Sequence, residues 1–258
     1  MSVDKNKLTS LDEGELMAEQ QLKPELELHL IGIKKAYQVL CKVMETVPPM
    51  NLEKVSSSMK VASALLVRIA NDMRTIAILS AKGYAIQAAT IAAALYESAL
   101  MIAYIGNDDN LANRWINHNV PTKSFISVSK MTLEALKKLG VQNSKKEKKN
   151  LYHVYEQLCQ AKHGNPIFQK AHSFLIENNT VVAQPGPITT NEFVRVSWFV
   201  MENAINLVGI ALQSFIRNHI KSNANNDIID AFKDLQDLHK ALSSMGARRY
   251  GMKKDNTN

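Results

Sequence analysis

Three side chains in this sequence could together carry out proton transfer: Glu97, Tyr155 and His163. Histidine gains and loses a proton near neutral pH, and a neighbouring carboxylate can orient its ring. Tyr155 and His163 fall on one side of a predicted helix, and we expect that side to meet Glu97 on an earlier helix. His163 would then act as general acid or base, with Glu97 or Tyr155 orienting it.

The same three side chains could instead form a purely structural network. A buried polar group needs a hydrogen-bond partner, and a satisfied network fixes the register of two packed helices. Cys159 lies one helical turn before His163 and could be a thiolate nucleophile, although a cysteine on a helix is more often a small core residue. These alternatives stay open at the level of sequence.

Glu97 belongs to the most apolar stretch of the chain, AIQAATIAAALYESALMIAYI over 85–105. A helix built from this stretch is apolar around most of its circumference, which predicts a place at the centre of the fold. Its polar residues, Gln87, Thr90, Glu97 and Tyr104, fall at helical spacing and form one stripe. We therefore expect the rest of the chain to enclose the stripe and to bury Glu97.

The remaining sequence predicts an all-α protein, an up-and-down bundle of long antiparallel helices. Gly83 separates two long helical patterns, which indicates a helical hairpin. Two short β-prone runs near 171–187 predict a small β-hairpin-like insertion. We divide the chain into a flexible acidic N-terminus (1–21), a single helical domain (22–246) and a basic disordered tail (247–258).

Several residues are typical of helix ends. Pro24 suits the first turn of a helix, and Asn51 is a good N-cap for the next one. Pro121-Thr122 predicts a further helix start. Two serine- or threonine-to-glutamate capping boxes, at Ser144 and Thr189, predict the starts of two later helices.

Composition limits the cellular setting. Only two cysteines occur in 258 residues, which argues against a disulfide framework and favours a reducing compartment. The polar N-terminus has no charged-then-apolar signal pattern, so we predict a cytoplasmic protein. The stretch 85–105 is long enough to span a bilayer, but Gln87 and Glu97 are costly there, and we expect no membrane association.

The formal charge of +7 is unevenly spread. Residues 1–30 hold three lysines and seven acidic residues, a net charge of −4, which leaves +11 for the rest. A basic body favours an anionic partner such as nucleic acid, although solubility alone can account for it. Lys145 and Lys146 stand at a predicted helix start, where positive charge opposes the helix dipole, so they are candidate anion-binding residues.

Familiar catalytic and cofactor motifs are missing from the sequence. It contains no GxxxxGK[ST] or GxGxxG loop, no HExxH or CxxC zinc pattern and no GxSxG elbow. We therefore expect neither a cofactor nor a bound metal.

Two segments, GYAIQAATIAAALYESALMIAYI and YEQLCQAKHGNP, resemble bacterial helical families related to the HEPN superfamily. The resemblance covers about 55–170 and implies a helical bundle, often dimeric, of the kind found in toxin–antitoxin and anti-phage systems. Many active members are metal-independent endoribonucleases. By this resemblance Glu97, Tyr155 and His163 correspond to the family's polar positions, with Asn165 just beyond.

One feature of those ribonucleases is missing. They carry an arginine shortly before the histidine, where this chain has Glu156, Gln157 and Leu158. An arginine would stabilise phosphate charge in the transition state. Lys162, Arg74 or a partner chain could supply that charge instead.

Three hypotheses for function remain. The first is a non-catalytic HEPN-like binding or scaffold protein, homodimeric, that contacts RNA or a protein encoded by a neighbouring gene through its basic surface. The second is a metal-independent endoribonuclease that uses His163. The third is a helical protein–protein interaction effector with an exposed apolar patch on one of its last two helices.

Overall fold

The computed structural model describes residues 11–47, 52–120, 124–163, 174–177, 180–183, 186–220 and 226–249. It is an all-α bundle, as predicted. Its helices are α1 (Leu11–Glu45), α2 (Ser57–Ala81), α3 (Ala85–Ile105), α4 (Asp109–Ile116), α5 (Val128–Lys138), α6 (Ser144–Lys162), α7 (Asn191–Phe215) and α8 (Asn226–Arg249). A 3₁₀ turn precedes α2 at Leu52–Lys54, and α7 continues as a π-helical turn over Ile216–Ile220.

The hairpin of α2 and α3 forms because the chain turns sharply at Gly83. Gly83 has a φ of 84°, and the turn is closed by hydrogen bonds from Gly83 N to Ser80 O and from Tyr84 N to Leu79 O. This is the Schellman arrangement that ends many helices. A Cβ atom on Gly83 would also lie 2.9 Å from the backbone nitrogen of Ile188, so only glycine fits.

Helix α3 occupies the middle of the bundle, as its composition predicts. It contacts α2, α4, α5, α6 and α7. Its alanines are almost all buried, which allows the neighbouring helices to approach closely. Tyr96 is fully buried, and its hydroxyl forms a 2.9 Å hydrogen bond with Thr132 of α5.

Helix α1 packs against α2, α7 and α8 on the other side of the bundle. Its buried His29 stacks on Trp198 of α7 and lies 3.0 Å from Glu202 Oε1. Trp198 Nε1 donates to Glu25 O. Gly32 of α1 allows α1 and α7 to pack closely, because a Cβ atom at this position would lie 2.8 Å from Ile205 Cδ1.

A small antiparallel hairpin, β1 (Phe174–Glu177) and β2 (Thr180–Ala183), confirms the predicted insertion. Glu177 pairs with Thr180. Residues 178–179, between the two strands, lie outside the described residues.

Several predicted boundaries are wrong. Helix α1 begins at Leu11 and includes Pro24, so 11–21 are helical rather than loose, with Ala18 buried. A proline that suits a first turn can also sit inside a long helix whose neighbouring turns are held by packing. Residues 1–10 and 250–258 lie outside the described residues, as do Pro48-Pro49, Asn51 and Pro121-Thr122.

The helix caps differ from prediction by a few residues. Helix α2 is capped by Ser56, whose Oγ accepts from Met59 N. Helix α6 follows Asn143, a left-handed residue without a side-chain cap bond, so the Ser144 capping box does not form. Helix α7 is capped by Thr190, one residue after the predicted Thr189.

Two helical segments, α3 and Asn191–Ile220, are long and apolar enough to cross a membrane by length and composition. Their most apolar windows are 72% and 56% buried inside the bundle.

Candidate functional site

The polar stripe on α3 is the edge of that helix nearest to solvent. Gln87 is exposed, and Thr90, Glu97 and Tyr104 are half-exposed, whereas most of the other residues of α3 are buried. The Glu97 side chain is 41% exposed. The prediction that the bundle buries this glutamate is therefore wrong, because the stripe follows the ordinary amphipathic pattern with its polar edge outward.

Glu97 does meet Tyr155, as predicted. The Tyr155 hydroxyl donates a 2.8 Å hydrogen bond to Glu97 Oε1 across the α3–α6 contact. Lys162 Nζ lies 3.9 Å from the same oxygen. Since Lys162 and Glu97 are both more than 40% exposed, this ion pair contributes little to stability.

His163 is not part of this group. It is the C-cap residue of α6, its side chain is exposed, and its backbone N–H bonds Cys159 O at 3.0 Å. Among the described residues no hydrogen bond or ion pair joins the His163 ring to Glu97 or Tyr155. The expected carboxylate–imidazole pair is thus not formed, because His163 comes eight residues after Tyr155 and is rotated away from it by about 80° around the helix axis.

A line of tyrosines and lysines runs along one side of α6. Its members Lys148, Tyr152, Tyr155 and Lys162 recur every three, four or seven residues; we call this line the α6 face. Lys148 Nζ lies 5.2 Å from the centre of the Tyr152 ring, a cation–π distance. The Tyr152 and Tyr155 rings are 5.9 Å apart, and Tyr155 is 4.9 Å from Tyr96.

The half-exposed rings differ in what they offer a ligand. Burial, together with hydrogen bonding to Cys159 and Glu97, raises the pKa of Tyr155, so its hydroxyl stays protonated and acts as a donor. Tyr155 is also held between Tyr96 and Glu97. Tyr152 is contacted by Lys148 and Tyr155 and keeps part of its surface open to solvent.

Lysines cluster at the start of the same helix. Lys145, Lys146 and Lys149 are exposed and form no ion pair within the part of the chain that the structure describes. By contrast, Lys137 pairs with Glu134, and Lys138 donates to the last carbonyls of α3. Because Glu147 is the one acidic residue among these lysines, the first turns of α6 carry a net positive charge beside the α6 face.

Two predicted residues are not placed with this group. Arg74 lies on α2 and lines a separate groove between α1 and α2. Asn165 lies outside the described residues. The pairing of Tyr152 with Lys148 was not predicted, although their spacing of four residues signals contact on a helix.

The described residues contain no group of three or more His, Cys, Asp and Glu side chains that could hold a metal ion. The α6 face is suited to binding an anion: Lys148 lies over the part-exposed Tyr152 ring, and Lys162 provides a second cation further along the helix.

Comparison with known proteins adds one finding. Residues 59–138 match the model of a family of unknown function, DUF5677. The match runs from α2 through α5, so it includes Glu97 but ends before α6. No curated protein and no solved structure matches the chain significantly.

Proposed function

We propose that this protein is a helical RNA-binding protein of the HEPN-like bacterial type, and that it binds single-stranded RNA without cleaving it. The α6 face carries the proposal. Cations interleaved with half-exposed aromatic rings are how many proteins hold single-stranded nucleic acid, with bases stacking on rings and lysines contacting phosphates.

The charge distribution supports an anionic ligand at this place. Lys145, Lys146 and Lys149 add positive charge at the end of α6 where the helix dipole already points its positive end. Bringing them together costs electrostatic energy in the free protein. A phosphate backbone would offset that cost.

The geometry favours binding over catalysis. A ribonuclease would need His163 held by a hydrogen-bonding partner, and the Glu97 carboxylate instead accepts from Tyr155. Cleavage is tested by incubating the purified protein with RNA in the presence of a chelator. RNA that stays intact agrees with the proposal, whereas cleavage that disappears in His163→Ala at unchanged melting temperature would establish the nuclease instead.

The setting that goes with this proposal is a cytoplasmic protein of a bacterial defence or toxin–antitoxin system, acting as a homodimer without membrane attachment. The HEPN resemblance supports this setting. A protein partner encoded by a neighbouring gene would fit the same setting. The effector alternative has less support, since the apolar face of α7 is buried and α8 exposes only a few apolar side chains such as Ile229.

The binding experiment uses fluorescence anisotropy with a labelled single-stranded oligoribonucleotide. We expect the double variant Lys145→Gln/Lys146→Gln to bind more weakly and to lower the salt dependence, by roughly 0.7 in the log–log slope for each phosphate that the protein no longer neutralises. Lys23→Gln, an exposed lysine on α1, is the matched control and should bind as wild type does. Equal weakening in the control would show that net charge rather than this surface binds RNA.

A further inference from the structure

A second site lies on another side of the molecule, in the groove between α1 and α2. The two helices run antiparallel, since Lys82 at the end of α2 pairs with Glu15 near the start of α1. The groove has a volume of about 860 Å³, which falls in the range of small-molecule sites.

The floor of the groove is apolar. It is formed by side chains at helical spacing on both helices: Leu30, Ile33, Ala77, Ile78 and Ala81. Ile78 is 39% exposed although its neighbours on α2 pack inward. This floor leaves apolar surface open to water, which an apolar chain would cover.

One end of the groove is basic. Lys34 and Arg74 line it, both are exposed, and neither forms a hydrogen bond or ion pair within the described ranges. Tyr37 of α1 is 41% exposed and lines the same groove, but its hydroxyl hydrogen-bonds Cys41. The Lys34 ammonium and the Arg74 guanidinium are the groups suited to a carboxylate or phosphate group.

The other end is closed to an anion. There the Lys82 charge is already neutralised by Glu15, which also accepts a 3.0 Å hydrogen bond from the Tyr84 hydroxyl. Glu19 lines the groove at the same end. The groove is therefore positively charged at the end with Lys34 and Arg74 and negatively charged at the end with Glu19, and apolar side chains lie between the two ends.

We propose that this groove binds a single-chain amphiphile with an anionic head, namely a medium- or long-chain carboxylate. The head lies against Lys34 and Arg74, and the chain runs along the apolar floor toward Lys82.

Isothermal titration of the full-length protein with decanoate, decanol and acetate, below micelle-forming concentrations, tests the proposal. We expect decanoate to bind with one site per chain, decanol more weakly, and acetate not measurably. Decanol binding as tightly as decanoate would overturn the proposal, and so would the absence of decanoate binding.

Variants locate the site. Lys34→Gln/Arg74→Gln should weaken decanoate binding about tenfold and leave decanol binding unchanged, because only the charge-assisted hydrogen bonds are removed. Ile78→Asn, a half-exposed position that tolerates a polar side chain, should weaken both. Lys130→Gln on α5 is the control for charge. Decanoate affinity unchanged in the first variant would place the ligand elsewhere.

Discussion

Tyr155 links α6 to α3 through both a hydrogen bond and a ring contact. Its hydroxyl donates to Glu97 Oε1, and its ring packs against Tyr96. The ring contact does not depend on the hydroxyl. Removing the hydroxyl oxygen of Tyr155 therefore removes the hydrogen bond and keeps the ring contact, so the two contributions to stability can be measured separately.

We expect Tyr155→Phe to lower the free energy of unfolding by about 0.5–1 kcal/mol, since a part-exposed hydrogen bond has a small net value. Glu97→Gln should change it less, because the amide oxygen still accepts from Tyr155. Urea unfolding of Tyr155→Phe, Glu97→Ala and their double variant measures the coupling, because each of these two changes removes the bond. A double variant whose effects simply add would show that the bond contributes nothing.

Protonation of His239 makes the free energy of unfolding depend on pH. Burial holds the pKa of His239 on α8 below its ordinary value of 6.5, although the Glu202 charge opposes the shift. The unfolded chain therefore binds the proton more readily, and stability rises with pH in this range. The stabilising contribution is complete above pH 6.5 and is lost as the pH falls toward the folded-state pKa.

Urea unfolding at pH 7.5, 6.5 and 5.5 should accordingly show declining stability, and His239→Gln should flatten part of that decline. Partial burial lowers the pKa of the half-buried His219 in the same way, so some decline should remain in the variant. A slope unchanged by His239→Gln would contradict this role of His239.

At the scale of elements, the packing of α1 on α7 and α8 depends on one glycine. A Cβ on Gly32 would lie 2.8 Å from Ile205 Cδ1 and 3.0 Å from Leu242 Cδ1. We expect Gly32→Ala to destabilise the protein by about 1–3 kcal/mol through overpacking. Thermal unfolding followed by circular dichroism measures the change.

Gly209 on α7 is the matched control, because it is also inside a helix but has nothing within 4 Å of an added Cβ. Gly209→Ala should be neutral or stabilising by up to about 1 kcal/mol, from helix propensity alone. Equal destabilisation by both substitutions would show that the close approach at Gly32 is not the cause of the lost stability.

The sequence predicts a secondary-structure boundary well where a residue type fits that place for only one physical reason. Gly83 ends α2 because the turn needs a positive φ, and the prediction of a hairpin there is confirmed. The prediction that a helix begins at Pro24 is wrong, because proline occurs both in the first turn of a helix and inside a packed helix. Which of the two occurs depends on contacts such as that between Trp198 and Glu25, which local sequence does not reveal.

The candidate site was only partly predictable for a similar reason. Periodicity predicts that Glu97, Thr90 and Tyr104 share one side of α3, but it does not show whether that side faces the core or the solvent. The meeting of Glu97 and Tyr155 followed from the assumption that α3 and α6 pack together. The expectation that His163 joins them is wrong because eight residues after Tyr155 correspond to a rotation of about 80° around the helix, whereas Lys162, seven residues on, returns to the same side.

At the scale of the whole molecule, α1 exposes apolar side chains at Met17, Leu28 and Ile31, which share one face of the helix. We expect the homodimer to form through this face. Light scattering after size exclusion should give twice the chain mass, and Leu28→Glu/Ile31→Glu should give the single mass with an unchanged helical spectrum. A wild-type protein that stays monomeric at high concentration would contradict this expectation.

The proposed binding of RNA depends on the Tyr152 ring beside Lys148. The decisive measurement is the affinity of Tyr152→Ala and Tyr152→Phe for a labelled single-stranded oligoribonucleotide, compared with wild type by fluorescence anisotropy. Tyr152→Phe should bind as wild type does, and Tyr152→Ala should bind more weakly by about 1–3 kcal/mol because a base has no ring to stack on. If both variants bind RNA as tightly as wild type, the α6 face does not bind RNA and the proposed function is wrong.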